Sequence, residues 1–119
     1  MILVYSKIII QIQGQETLQS VDIVVPVYGN WELVSQCLLA LQNQSVNTNI
    51  FVVDDCSNDD TPDKIASHFP DMTLLRNSTN LGFAKSCNRG ISEGKSEFVI
   101  LVNSDVTSDK NMVETLIEG

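Results

Sequence analysis

FVVDDCSNDDT, Phe51 to Thr61, passes from an apolar strand directly into a loop loaded with carboxylates and hydroxyls. A buried strand is built from apolar residues, and two adjacent acids at its C-terminal end fit an end that opens onto a cleft holding a polar ligand. The same pattern recurs along the chain. VDIVVPV (Val21 to Val27) runs into Tyr28-Gly29-Asn30, MTLLR (Met72 to Arg76) into the run from Asn77 to Phe83, and FVILV (Phe98 to Val102) into Asn103-Ser104-Asp105. In an open parallel sheet these four loops fall along one edge, so polar groups distant in sequence converge on one crevice.

A chain of 119 residues fits one domain that removes roughly two-thirds of its unfolded surface from water. Its 43% hydrophobic and 18% charged residues are those of a soluble globular protein, not of a disordered tail. The net charge of −8 excludes nucleic acid as the expected partner, because phosphate backbones are held mainly by Lys and Arg. An acidic protein that binds a phosphorylated ligand must then neutralise it with a cation, helix N-termini or a few local basic groups. Cys37, Cys56 and Cys87 are odd in number and contain no CxxC pair, so neither a disulfide framework nor a zinc site is suggested and a reducing cytosol is the default. Met1 to Ile10 is apolar but interrupted by Ser6 and Lys7. It is too short to cross a bilayer, and a signal peptide is disfavoured because no small-residue cleavage site follows.

Residues 1–20 stand apart as an N-terminal appendage, a β-prone patch followed by a Gln-rich polar stretch, open to roles as an added edge strand, an oligomer contact or vector-derived sequence. From Val21 to the C-terminus strands alternate with helices. Asn30 is placed to cap a helix reaching about Gln42, whose Leu33, Cys37, Leu38 and Leu41 have helical spacing. A strand covers Ile50 to Val53, and Thr61-Pro62 reads as an N-cap and first helical position of a short helix to about His68. Met72 to Leu75 is a short strand, Phe83 to about Glu93 a helix ended by Gly94, Glu97 to Val102 another strand, and Ser108 caps a last helix through Ile117. Such alternation implies parallel pairing and right-handed crossovers, hence a Rossmann-like α/β sandwich.

Neighbouring strand residues point to opposite faces, so Asp54 and Asp55 cannot both enter one pocket. One of the pair suits a ribose hydroxyl or base N–H, and the competing reading is that these acids organise the turn with Ser57 and Asn58. In NLGFAKSCNRG (Asn80 to Gly90), Gly82 stands where a loop becomes a helix, and the free N–H groups of a first helical turn attract anions. Lys85 and Arg89 lie four apart on the same helix face, with Asn88 between them, either near a diphosphate or simply solvating that face. Asp105 follows the strongest strand, and a single carboxylate holds Mg²⁺ or Mn²⁺ when ligand phosphates and waters fill the other positions. His68, the only histidine, sits near a helix end and builds no acyl-transfer triad. Cys56 lies among negative charges that make a poor nucleophile of it.

VDIVVPVYGNWELVSQCLLALQNQ, FVVDDCSNDDT, RNSTNLGFAKSCNRGI and FVILVNSDV, in that order and at that spacing, resemble the N-terminal half of family-2 glycosyltransferases of the GT-A fold, especially the rhamnosyltransferase-like branch. The resemblance runs from about Val21 to the end of the chain. It implies a nucleotide-sugar donor, a UDP- or dTDP-sugar, with Mg²⁺ or Mn²⁺ bridging protein and diphosphate. Carried over by motif, Pro26, Val27 and Tyr28 line the base pocket and Asp54 bonds the base and ribose, with Asp55 beside it. Gly82, Lys85 and Asn88 flank the nucleotide, Asp105 is the last acid of a DxD-type metal motif, and Asn103 replaces its first acid. It further implies inverting transfer to a saccharide, lipid-linked or protein acceptor in cell-surface polysaccharide biosynthesis, in the cytoplasm or peripheral to the inner membrane face. The catalytic base is expected beyond Gly119, so this chain is expected to bind donor with turnover absent or weak.

Two readings from other classes stand beside this one. A receiver-like signalling domain has a similar size and acidity, but its acid pair follows the first strand. A non-catalytic assembly partner is the other, since apolar strands left unpaired favour dimerisation or strand exchange and hence a homo-oligomer.

Overall fold

VDIVVPV forms the central strand of the sheet, and all seven of its residues are buried, as a strand covered by helices on both faces requires. A computed structural model describes residues 2–6, 20–105 and 110–118. Its elements in chain order are β1 (Ile2–Ser6), β2 (Val21–Val27), α1 (Trp31–Gln42), β3 (Thr48–Asp54), α2 (Thr61–His68), β4 (Thr73–Arg76), α3 (Phe83–Glu93), β5 (Phe98–Val102) and α4 (Met112–Glu118). The strands form one sheet in the order β1-β5-β2-β3-β4. β2 runs parallel to β3 and to β5, and β3 parallel to β4, while β1 lies antiparallel on the outer side of β5.

The chain builds outward from β2 through β3 to β4, then returns to the other side of β2 as β5. The strand order therefore reverses at β2, and the crevice of an open α/β sheet opens beyond the carboxyl ends of the two strands flanking that reversal.

Pleat alternation sorts β2 between two cores. Val21, Ile23, Val25 and Val27 join Val34, Leu38 and Leu41 of α1, Ile65 of α2 and Val113 of α4. Val24 faces the other way with Val53, Leu101 and Cys87 of α3. Each fully buried Val or Ile contributes about 1.5–3 kcal/mol relative to exposure, so the two-sided burial of β2 dominates the local stability.

Boundaries and caps depart from the sequence expectations in physically explicable ways. The fourth strand starts one residue later and includes Arg76, which pairs in register opposite Asp54, because Met72 turns into the core instead. Asn30 does occupy the cap position of α1, but in left-handed backbone (φ 61°) with no side-chain capping bond. Only its carbonyl engages the helix, accepting from Val34 N at 3.0 Å. Thr61 is the first residue of α2 rather than its cap. The carboxylate of Asp59, a better acceptor than a hydroxyl, takes the Thr61 N–H at 2.9 Å. Gly94 ends α3 in extended backbone (φ −82°). A side chain there would strike the Asp22 carboxylate, which is buried at the start of β2 and accepts from Ser96 N at 3.0 Å. Ser108 lies outside the described residues.

Candidate functional site

Beyond the carboxyl ends of the parallel strands, three loops are tied together by side chains. Gly29 and Asn30, consecutive residues in left-handed backbone with φ 60° and 61°, turn the chain sharply out of β2. Gly29 N donates to Ser57 Oγ at 2.8 Å, and Ser57 Oγ in turn donates to Asp54 Oδ1 at 2.5 Å. Ser57 N donates to the other Asp54 oxygen at 3.1 Å. Asp54, 1% exposed, thus braces the turn after β3 and fastens it to the turn after β2.

Asp55 has the opposite orientation, toward α3. The polar run after β4 wraps its carboxylate: Oδ1 accepts from Asn77 Nδ2 at 2.9 Å and from Leu81 N at 2.7 Å, and Oδ2 from Gly82 N at 3.0 Å. Gly82 has φ 89°, a conformation costly to any side chain, and this turn aims two successive N–H groups at one carboxylate. Burial is the largest single influence on Asp55 and opposes its ionisation. The bonds from Asn77, Leu81, Gly82 and Ser86 together outweigh it and hold the carboxyl below its ordinary value.

A cavity of about 230 Å³ opens above these groups. Pro26, Val27 and Tyr28 line it from the end of β2, Asn103 and Ser104 from the end of β5, Phe83 and Ser86 from α3, and Asp55 from between them. Its place beyond β2 and β5 is the point where the strand order reverses. Tyr28 and Phe83 leave their rings half-exposed at its rim, at 53% and 47%, and the Tyr28 hydroxyl accepts from Asn58 Nδ2 at 3.2 Å. A larger cavity, about 340 Å³, lies at the opposite end of β3 and β4 among Thr48, Asn49, Asp71 and Thr73. It faces the amino ends of those strands, away from the loops that carry the polar constellations, so we assign the site to the smaller one.

The structure therefore brings Pro26, Val27, Tyr28, Asp55 and Asn103 together around one cavity, with Gly82 bonded to Asp55. Asp54 does not line it. Lys85 and Asn88 are exposed on α3 and also lie outside the lining. Asp105 is exposed two residues beyond Asn103. Its charge is felt by the buried Cys37 thiol of α1, which burial first and Asp105 second push up to about 11. Cys37 Sγ also lies 3.9 Å from the Asn103 carbonyl, so α1 supports the turn that carries both residues. Among the described residues no three His, Cys, Asp or Glu side chains gather to hold a metal ion. Asp105 offers one hard oxygen donor group, which suits a cation whose other positions are filled by ligand phosphates and water.

Asn77 and Ser86 belong to the site without having been singled out from the sequence. Both are buried, at 5% and 0%. Their one legible signal is an asparagine placed immediately after a strand, the same position that Asp55 and Asn103 occupy.

Comparison with known proteins bears on this site. Residues 22–119 match the sequence profile described as Glycosyl transferase family 2. Glycosyltransferase GlyG of Streptococcus pneumoniae serotype 4 is 30% identical over 102 residues, covering 82% of this chain and 34% of that protein. The crystal structure of Staphylococcus aureus TarS 1-349 in complex with UDP-GlcNAc superposes with TM-score 0.73 at 27% identity, over 84% of this chain and 30% of that one. A mannosyltransferase from Pyrobaculum calidifontis, in complex with GDP-Man and Mn²⁺, shares the fold with TM-score 0.76 at 23% identity, over 82% of this chain and 31% of that one. The chain spans about a third of the length of the curated relatives it matches.

Proposed function

The chain belongs to glycosyl transferase family 2 and has the GT-A fold, and on that premise we propose that it is the donor-binding portion of a glycosyltransferase, holding a UDP- or dTDP-sugar at the reversal point beside β2. The observation that carries this reading is the Asp55 carboxylate, fixed by three hydrogen bonds in a cavity rimmed by Tyr28 and Phe83. An acceptor-only group between apolar walls suits the imide N–H of uracil or thymine, and the half-exposed rings suit its π-face.

Of the acid pair, Asp55 lines the cavity, so we give it the base contact. Asp54 acts one step behind, through the Ser57 brace that sets the turn carrying Gly29 and Tyr28. Pro26 and Val27 form the wall under the base, while Lys85 and Asn88, exposed on α3, approach the nucleotide from outside the cavity. Asn103 and Asp105 follow β5, where the diphosphate would emerge, and Asp105 would hold Mg²⁺ or Mn²⁺. When bound, that cation supplies positive charge to the departing diphosphate. The neighbour bound to GDP-Man and Mn²⁺ supports a divalent cation in general, and the one bound to UDP-GlcNAc supports a sugar-linked nucleoside diphosphate. Within the family, our reading remains the rhamnosyltransferase-like branch that the four ordered motifs resemble.

Transfer would proceed by direct displacement at the anomeric carbon with inversion, the acceptor hydroxyl being deprotonated by a carboxylate that we assign to no residue of this chain. A receiver-like or purely assembly role is not favoured by the family match. Among the described residues no helix is long and apolar enough to cross a membrane. Isothermal titration with UDP and with dTDP, each with and without Mn²⁺, tests the reading: heat of binding is expected for at least one nucleotide with Mn²⁺ present. No heat under any of the four conditions would remove the donor-binding claim.

A further inference from the structure

Asn77 sits at the end of β4 with every polar group of its side chain engaged. Its Nδ2 donates to Asp55 Oδ1 and to Ser86 Oγ, both at 2.9 Å, and its Oδ1 accepts from Arg89 Nη1 at 2.8 Å. These partners fix the amide orientation, because a guanidinium has only donors and an ionised carboxylate only acceptors. Its backbone N–H donates to the Asp54 carbonyl at 2.8 Å, extending the ladder by one residue and locking the side chain's origin to the strand that carries the acid pair.

We propose that Asn77, backed by Arg89, is the positioning residue of the nucleotide site: it holds the Asp55 carboxylate in the one orientation from which it accepts a nucleobase N–H. The inference rests on the donor-binding reading above and deepens it. Turning Asp55 away from the cavity would break the Asn77, Leu81 and Gly82 bonds together, and rotating Asn77 would break the Arg89 bond. Arg89 thereby has a role inside the site although it sits on the exposed flank of α3. Its guanidinium polarises the amide that donates to Asp55, so the positive charge acts on the carboxylate through one intervening group.

The other charged groups on the elements around Asp55 are otherwise placed. Asp54 is bonded to Ser57, and Arg76 on β4 lies 3.8 Å from Asp63. Lys85 is exposed on α3, and Asp105 is exposed after β5. Asp55 has burial working against its charge, so the Asn77 bond is one of the contacts that keep the carboxylate both ionised and fixed in direction.

The test is UDP affinity by calorimetry from pH 5 to pH 8 at fixed Mn²⁺, read as the ratio of variant to wild type so that titration of the nucleotide cancels. Asn77→Asp is isosteric but places a second carboxylate against Asp55. It is expected to weaken binding about tenfold or more at pH 8 and to recover toward wild type as pH falls, because a carboxylic acid O–H then donates where the amide did. A change that only loosened the fold would not improve with acid. Arg89→Gln, at an exposed position, keeps the fold and is expected to weaken UDP binding roughly three- to tenfold, and it decides the matter should Asn77→Asp fail to fold. Variants that bind UDP like wild type across the whole range overturn the inference alone. A wild-type chain that binds neither UDP nor dTDP overturns the donor-binding reading and this inference with it.

Discussion

Two adjacent acids at the end of β3 are bonded to opposite sides of the strand. The pleat separates them: Asp54 faces the Ser57 turn and Asp55 faces α3. That they could not share a pocket was legible in the sequence, because alternation is a property of any strand. Which of them met the cavity was not, since this depends on which face receives the first turn of α3, a fact about packing thirty residues away. For the same reason the task of Asn77 was not legible from its position after a strand: it comes from two partners, Asp55 and Arg89, that only the fold brings within reach. Asp55 also sets a pH dependence. Its folded carboxyl lies below the ordinary 3.8, so the stability it contributes is fully present above that value and is lost as pH falls through the lower folded one. Urea midpoints of wild type and Asp55→Asn are therefore expected to differ at pH 7 and to converge below about pH 3.8. A difference that persists unchanged at pH 3 would contradict the assigned ionisation. At pH 7 the same substitution is expected to weaken UDP binding about 10- to 100-fold, the value of a hydrogen bond to a charged group.

The middle of α3 shows what the elements require of particular residues. Gly90 faces the sheet where a Cβ would come within 2.4 Å of Val24 Cγ1 and 3.2 Å of Val53 Cγ2. Both are core side chains with no exposure and little room to yield. Gly90→Ala is expected to destabilise the fold by about 1–3 kcal/mol, as overpacking of a tight core does, visible as a lower denaturant midpoint. An unchanged midpoint would mean that α3 lies further from β2 than described. Because α3 also carries Phe83, Ser86 and Arg89, the same substitution should weaken nucleotide binding even though Gly90 touches nothing in the cavity. At this scale the sequence was informative about element type and order, since hydrophobic strands and helical periodicity depend on local pattern. Caps were less legible. Asn30 and Thr61 are good capping residues by type, yet a left-handed turn and the neighbouring Asp59 carboxylate decided those two helix starts.

Across the whole molecule, β2 at the centre of the parallel strands makes four separated loops one site. The alternation of strands and helices predicted this edge from sequence. The reversal at β2, which selects the crevice between β2 and β5, came from the strand order alone. The acidic balance also acts at this scale, because a net charge of −8 repels a diphosphate unless a cation intervenes. Replacing Mn²⁺ with a chelator is expected to weaken UDP binding in the wild type. Asp105→Asn is expected to remove most of the benefit of Mn²⁺ while leaving the weaker, cation-free affinity as it was. Equal Mn²⁺ dependence in both chains would assign the cation elsewhere. A crystal structure of the chain soaked with UDP and Mn²⁺ decides whether the cavity beyond β2 and β5 receives a nucleoside diphosphate base-first. The uracil is expected between Pro26 and Phe83 with its imide N–H on Asp55, and the diphosphate running toward Asp105. Nucleotide density at the far cavity beside Thr48 and Asp71, or a uracil that meets no carboxylate, would contradict it.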